Sequence, residues 1–303
     1  MVHNSNLHTA KSAKNDEFYT KMCDIVNEMV HYESEFKNKV IYCNCDNFNE
    51  SNFVKYFRDN FDRLGIKKLI ATSFNENGNG LWYVLKRELP YEGNGELCFD
   101  GSFNSIECIN YLQMADIVVT NPPFSKFRQY ITLLEQYNKK YIILGNMNAI
   151  TYKEVFPIIK ENRLWLGVSL NGTKCSFIVP ESYEGKNVFV EDGVRYAKVN
   201  NAIWFTNLDN DKRHCKLELT ATYSPSKYPE YFNYNGIDVS RVADIPKDFY
   251  GVMGVPITFL HKYNPEQFEI VKFRKGDDDK DLFYKKDGKD IQPYFRILIK
   301  RKR

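Results

Sequence analysis

Asn121-Pro122-Pro123-Phe124 is the stretch whose residue types suit chemistry. The asparagine offers a side-chain carbonyl acceptor, and Pro122 offers a backbone carbonyl held by the stiff Pro-Pro unit. Two acceptors aimed at one planar NH2 group hold it and draw it toward tetrahedral geometry, which exposes the nitrogen lone pair to an electrophile. Phe124 supplies a ring for the heterocycle that carries the amine, a contact worth about 1–3 kcal/mol for a base on an aromatic side chain. The chemistry that fits is methyl transfer from a sulfonium donor to an exocyclic amine, adenine N6 or cytosine N4. An ordinary turn after a strand, with Phe124 in the core, accounts for the four residues equally well, because Asn and Pro are common turn formers.

The elements needed to position such a motif are present around it. Ile117-Val118-Val119 is a β-branched apolar run that reads as a buried strand. The prolines cannot donate to a ladder, so the strand stops at Asn121, and the motif falls at a strand's carboxyl end, where open α/β sheets bind ligands. Further strands are expected at 39–46, 68–72, 81–89, 140–145, 164–168, 175–179 and 202–206. Helices are expected after Thr20, from Phe53 to Gly65, and over 106–114, 127–137 and 152–160, with Pro157 starting or kinking the last. In the first half, strands and helices alternate at roughly 30-residue intervals, the pattern of a parallel sheet with helices on both faces. After Asn207 the alternation ends and composition shifts, so a smaller β-rich or irregular region is expected over 208–303. Within it, 255–260, 268–271 and 295–299 read as strands and 275–289 as a polar hairpin or loop.

Three other stretches could serve a ligand. Asp46, at a strand end, is the first acid placed to hold the ammonium of an amino-acid-like molecule. Asp100-Gly101-Ser102-Phe103 either binds the amine of an adenine ring or is a turn, and Phe18-Tyr19 is either a hydrophobic staple or a lid over a cofactor. Asn75 to Gly80 is a turn and not a phosphate loop, since no strand–GxGxxG–helix arrangement surrounds it.

Composition sets the outer bounds. The 303 residues, 43% of them hydrophobic, suit one large domain or one with a smaller companion. No run of 18 apolar residues spans a membrane, and Met1 to Asn6 lacks the apolar core of a signal peptide. Seven cysteines, an odd number without a CxxC pair, point to a reduced cytoplasmic protein with no metal site. The net charge of +3 permits a nucleic-acid partner without demanding one. Basic residues gather at Lys11 and Lys14, at Lys212-Arg213-His214 with Lys216, and at Lys300 to Arg303, each a DNA contact or a solvated face.

Taken together, Asn15 to Thr20, Val40 to Asp46, Ala115 to Phe124, Leu144 to Thr151, Ile203 to Asn207 and Gly251 to Phe268 resemble, in order, the EcoRI-type adenine-specific DNA methyltransferases. That resemblance implies a Rossmann-like class I methyltransferase fold: a mostly parallel seven-stranded sheet with helices on both faces. It implies an S-adenosylmethionine-binding catalytic domain over 1–207 and a target-recognition region over 208–303. The implied reaction is methylation of a flipped-out adenine at N6 in duplex DNA, by a monomer of bacterial or phage origin, with or without a companion restriction nuclease encoded nearby. Asn121, Pro122, Pro123 and Phe124 match the catalytic motif; Phe18, Tyr19, Thr20, Asn44, Asp46, Asp100 and Phe103 are the implied cofactor residues. Phe124 and Phe177 are the expected stacking walls for the base, and Lys11, Lys14, Arg128, Lys212 and Arg213 the expected DNA contacts. One departure stands out: the strand ending Ala71-Thr72-Ser73 lacks the acid that commonly binds ribose hydroxyls, leaving Glu76 as a substitute. RNA adenine, a protein glutamine amide, or a decayed DNA-binding relative are the alternatives.

Overall fold

The computed structural model of the chain describes residues 19–88, 92–170, 172, 175–181, 183, 185, 187–286 and 288–303. It divides into two compact units, one of residues up to Val155 with Leu164–Asp209, the other of Phe156–Arg163 with Asn210–Arg303. The short segment Phe156–Arg163, which precedes the expected boundary at Asn207, thus belongs with the second unit.

The first unit is built on an eight-stranded sheet. Its strands are β1 (Val40–Asn44), β2 (Lys68–Ser73), β3 (Leu81–Lys86), β4 (Glu92–Glu96), β5 (Ile117–Thr120), β6 (Lys140–Asn146) and β7 (Trp165–Leu166). Three more, β8 (Cys175–Ile178), β9 (Val188–Glu191) and β10 (Val194–Val199), form a separate antiparallel sheet before β11 (Ala202–Thr206) rejoins the large one. The order across the large sheet is β4-β3-β2-β1-β5-β6-β11-β7. Only β2, β1, β5 and β6 run parallel; β3, β4, β11 and β7 add antiparallel at the two sides. The sheet therefore departs from the expected seven strands, with a parallel centre and antiparallel flanks. The reason is connection length: the loops from β2 to β3 and from β3 to β4 carry no crossover helix, and a short connection returns a strand antiparallel.

Register explains the two helical layers. Ile41 is level with Leu69 and Ile117, Val119 with Ile142, and Leu144 with Trp204, so these side chains share one face. Helices α1 (Met22–Met29) and α2 (Asn52–Asp59) cover it with Ile25, Met29, Phe53 and Phe57, and Phe53 meets Trp204 edge-on at 6.0 Å. The other face carries Tyr42 against Tyr111 of α3 (Ile106–Met114) and Phe205 against Phe127 of α4 (Phe127–Gln136). Gly145 lies under the last pair, where a methyl group would collide with both rings. No helix among the described residues is long and apolar enough to cross a membrane.

The second unit holds helix α5 (Phe156–Lys160) and a four-stranded sheet of β12 (Ile237–Asp238), β13 (Met253–Pro256), β14 (Phe268–Phe273) and β17 (Arg296–Arg301), in the order β12-β13-β17-β14. A hairpin of β15 (Tyr284–Lys286) and β16 (Lys289–Ile291) stands apart. The expected helix over 152–160 is confined to α5, with Pro157 in its first turn where a missing N–H costs nothing. The strand expected over 255–260 ends at Pro256, and Ile257–Lys262 winds into a 3-10 turn. At the centre, buried Asp238 accepts from Tyr231 at 2.7 Å and from Arg296 Nε at 2.8 Å, which neutralises and saturates the carboxylate.

Candidate active site

The parallel register sets the carboxyl ends of β1, β2 and β5 on one edge, and the chain leaves them as Cys45-Asp46, Ser73-Phe74 and Asn121-Pro122. A cavity opens there. Six residues expected to act on ligands line it: Tyr19, Thr20, Asp46, Phe103, Asn121 and Pro123.

Asp46 is the best-anchored of them. Strand β1 is apolar and fully buried as far as Asn44; then Cys45 takes a φ of 83°, a left-handed turn that redirects the backbone. The N–H groups of Cys45 and Asp46 both donate to the Thr72 carbonyl, at 3.0 and 2.8 Å, so the turn is clamped to β2. The Asp46 carboxylate accepts from Ser51 Oγ at 2.6 Å and from Thr120 Oγ1 at 2.5 Å, and the Thr120 hydroxyl also reaches the Asn44 carbonyl. Ser51 has a second task as the N-cap of α2, accepting from the N–H groups of Phe53 and Val54. Burial pushes the Asp46 carboxyl up to about 7, while the Ser51 and Thr120 hydroxyls pull the other way. Two hydroxyl donors leave part of the carboxylate's acceptor capacity free for a cation.

Tyr19 and Thr20 form a second wall. Tyr19 exchanges both backbone hydrogen bonds with Ile178 at 2.9 Å, and its hydroxyl donates to Glu50 at 2.6 Å. The Thr20 carbonyl accepts from Asn52 Nδ2 at 2.8 Å. Among the described residues, neither buried Thr20 Oγ1 nor buried Asn44 Nδ2 has a hydrogen-bond partner. A buried orphan hydroxyl in the wall of a cavity is the mark of a ligand-binding surface, since leaving it unpaired costs about 1–3 kcal/mol.

The third wall comes from Gly101 to Phe103. Gly101 has a φ of 77°, and both it and Gly80 lie so close to the Ser73 carbonyl that a methyl group on either would collide with backbone. Asp100 itself does not line the cavity. Its carboxylate turns onto Ser102, accepting from the N–H at 2.9 Å and the hydroxyl at 2.7 Å, so Gly101, Ser102 and Phe103 present the surface instead. Phe103 is held edge-on by Tyr130 at 5.1 Å.

Asn121 and Pro123 close the cavity, with Pro122 buried between them. The Pro123 carbonyl accepts from the Lys126 N–H at 2.9 Å and starts a 3-10 turn over Phe124–Lys126. Phe124 is 7% exposed and stands edge-on to Phe177 at 6.4 Å. Phe177 is fully buried beside the Phe124 ring.

The remaining expected residues lie elsewhere. Phe18, Lys11 and Lys14 fall outside the described residues. Arg128, on the exposed side of α4, lies over the Tyr152 ring at 4.0 Å. Lys212 and Arg213 belong to the second unit, in a 3-10 turn capped by Asn210, and Arg213 donates to Asn162. Glu76 is exposed and does not line the cavity. Sequence reasoning missed Glu50, Ser51, Phe74 and Lys126, all of which do. Ser51 had a signal, a hydroxyl before an amphipathic helix; Lys126 follows the motif directly; Glu50 and Phe74 had none.

The sequence model of the family described as adenine-specific methyltransferase EcoRI matches residues 6–92 and 85–302. The chain is 52% identical to the type II methyltransferase M.EcoRI of Escherichia coli, over 99% of this chain and 97% of that protein. It is 42% identical to the type II methyltransferase M.MpnI of Mycoplasma pneumoniae, over 86% of this chain and 83% of that one. The type II methyltransferase M.MgeORF184P of Mycoplasma genitalium is 40% identical over 86% and 84%. No solved structure matches significantly.

Proposed function

This chain belongs to the EcoRI family of adenine-specific methyltransferases, and on that premise we propose how its residues methylate adenine N6 in duplex DNA. It is an adenine-specific DNA methyltransferase of the type II class. The reading of its site rests on one observation: a single cavity collects Tyr19, Thr20, Asp46, Phe103, Asn121 and Pro123 from four separate stretches of chain.

The family generally uses S-adenosylmethionine, and the cavity's chemistry suits it. The orphan Thr20 hydroxyl and the Asp46 carboxylate answer the amino-acid end, and Phe103 with Gly101 and Ser102 answers the adenine ring. When bound, that cofactor supplies the methyl group as a sulfonium electrophile. Asn121 Oδ1 and the Pro122 carbonyl accept the two N–H groups of the target amine and turn its lone pair toward the methyl. Phe124 stacks on the base, with Phe177 fixing the ring's orientation from behind. One amine proton, held at Asn121 Oδ1, leaves to water once the nitrogen has formed its new bond. Positioning supplies most of the rate, as no covalent enzyme intermediate is needed.

Reaching N6 inside a duplex requires flipping the adenine out, at a cost of a few kcal/mol. The first unit carries the Rossmann-like catalytic core, and the second unit reads bases and holds phosphates. In this reading the protein is a cytoplasmic monomer that protects DNA from a separately encoded nuclease. The test is to incubate the protein with methyl-labelled S-adenosylmethionine and unmethylated genomic DNA, then digest to nucleosides. Labelled N6-methyladenine is the expected product; cofactor binding without label in DNA would overturn the reading.

A further inference from the structure

The arginines of the second unit are not equivalent. Arg241, Arg274 and Arg296 each meet an aspartate, at 2.7 Å from Asp244, 2.5 Å from Asp281 and 2.8 Å from Asp238. Their charge is spent inside the unit. Arg301 and Arg303 differ: both guanidinium groups lie against the ring of Tyr250, at 4.8 and 5.9 Å from its centroid. Arg301 also donates to the Lys247 carbonyl. Among the described residues, no ion pair with a carboxylate involves either of them.

The segment is docked. Arg301 ends β17, and the Lys302 N–H donates to the Gln267 carbonyl at 2.9 Å, so the last residues follow the sheet edge. Tyr250 remains 43% exposed, and Arg303 is exposed beside it. Glu269 is level with Lys300 across β14 and β17, and Asp248, beside Lys247, accepts from the Tyr223 N–H at 2.8 Å. A guanidinium stacked on a ring is weakly hydrated, and with no carboxylate partner its charge is left for a phosphate; in Arg301 one Nη is committed to the Lys247 carbonyl and Nε is buried, so it acts by charge and not through a bidentate edge. The whole chain carries a net charge of only +3, so attraction to a polyanion must come from such local clusters.

We infer that Arg301 and Arg303, held on Tyr250, form a clamp for the sugar-phosphate backbone of duplex DNA. The inference rests on duplex DNA being the substrate. Two phosphates are the partners, and the contact carries no sequence information. Each neutralised phosphate contributes about 0.9 to the slope of log affinity against log salt.

The experiment is fluorescence anisotropy on the full chain, across about 0.05–0.3 M salt. Two duplexes are used: one the protein methylates, and one of scrambled sequence. Arg301→Gln/Arg303→Gln should lower the slope by about 2 and weaken both duplexes by the same factor, between about ten- and a hundredfold near 0.1 M salt. An unchanged thermal midpoint shows that the variant folds. Arg303→Gln alone, at an exposed residue, should lower the slope by about 1 and serves if the double variant fails to fold. A slope unchanged in either folded variant, or a loss confined to the methylated duplex, overturns the clamp while leaving the methylation reading intact. Parent protein that binds neither duplex overturns both.

Discussion

The pH dependence of cofactor binding tests the site at its most unusual group. Asp46 is 7% exposed, and burial raises its carboxyl to about 7 in the free protein. If that carboxylate holds the cofactor's ammonium, binding requires the ionised form. At pH 6 about one tenth of the protein is ready to bind, and at pH 8 about nine tenths, so affinity should rise about tenfold over that interval, or about 1.4 kcal/mol. Binding near pH 7 should release about half a proton. The sign for folding is opposite. A carboxyl whose folded pKa is raised contributes stability that is full below its unfolded value near 4 and is lost as pH rises through 7. The cofactor-free protein should therefore lose thermal stability across that window, and added cofactor should restore it. The assay is isothermal titration calorimetry from pH 5.5 to 8.5, repeated in two buffers of different ionisation enthalpy to count protons. Asp46→Asn should bind weakly and without this pH dependence. A parent profile flat between pH 6 and 8, or a slope that survives in Asp46→Asn, would refute the assignment.

Three further outcomes follow from named contacts. Asn121→Ala should lose methyl transfer while cofactor affinity changes less than about threefold, read by label incorporation beside calorimetry; equal loss of both removes its assigned role. Ser51→Ala removes both the cap of α2 and a donor to Asp46. It should cost about 1 kcal/mol, seen as about 2–4 °C in the thermal midpoint, and should move the binding-pH midpoint upward; an unmoved midpoint would leave only the cap. Arg296→Ala strands the buried Asp238 charge and should destabilise the second unit by about 3–5 kcal/mol, with Asp238→Ala added on top recovering part of it in a denaturant titration.

The central strands were readable because burial on both faces demands unbroken apolar runs: Val40 to Cys43, Ile117 to Val119 and Tyr141 to Leu144 leave no other reading. The motif at 121–124 was readable because proline leaves a strand no continuation. Strand β4, Glu92-Gly93-Asn94-Gly95-Glu96, was not readable, for it has no apolar alternation. Its glycines lie under the Trp82 ring, close enough that a methyl group on Gly95 would crowd the indole, and that contact exists only after β3 folds back. The β9–β10 hairpin did carry a signal in Asp192-Gly193, both with positive φ as its tight turn requires. In the site, Asp46 and Asn121 were legible because strand ends fix them. Glu50 was not, because its side-chain partner, the Tyr19 hydroxyl, is 31 positions away.

The order of strands across the large sheet also sorts its pairings by the length of chain they close. From β1 through β4, each new strand pairs with the one before it, so this half of the sheet grows from neighbours in sequence. The next pairing is different in kind. Strand β5 returns to the far side of β1, and the bond from the Val40 N–H to Asp116 closes a loop across 76 positions. Closing a long loop loses more chain entropy than zipping a hairpin and is slower. Insertion of β5 beside β1 brings Asn121 to the cavity and at the same stroke gives Asp46 its Thr120 donor, so one strand completes both the cofactor side and the catalytic side.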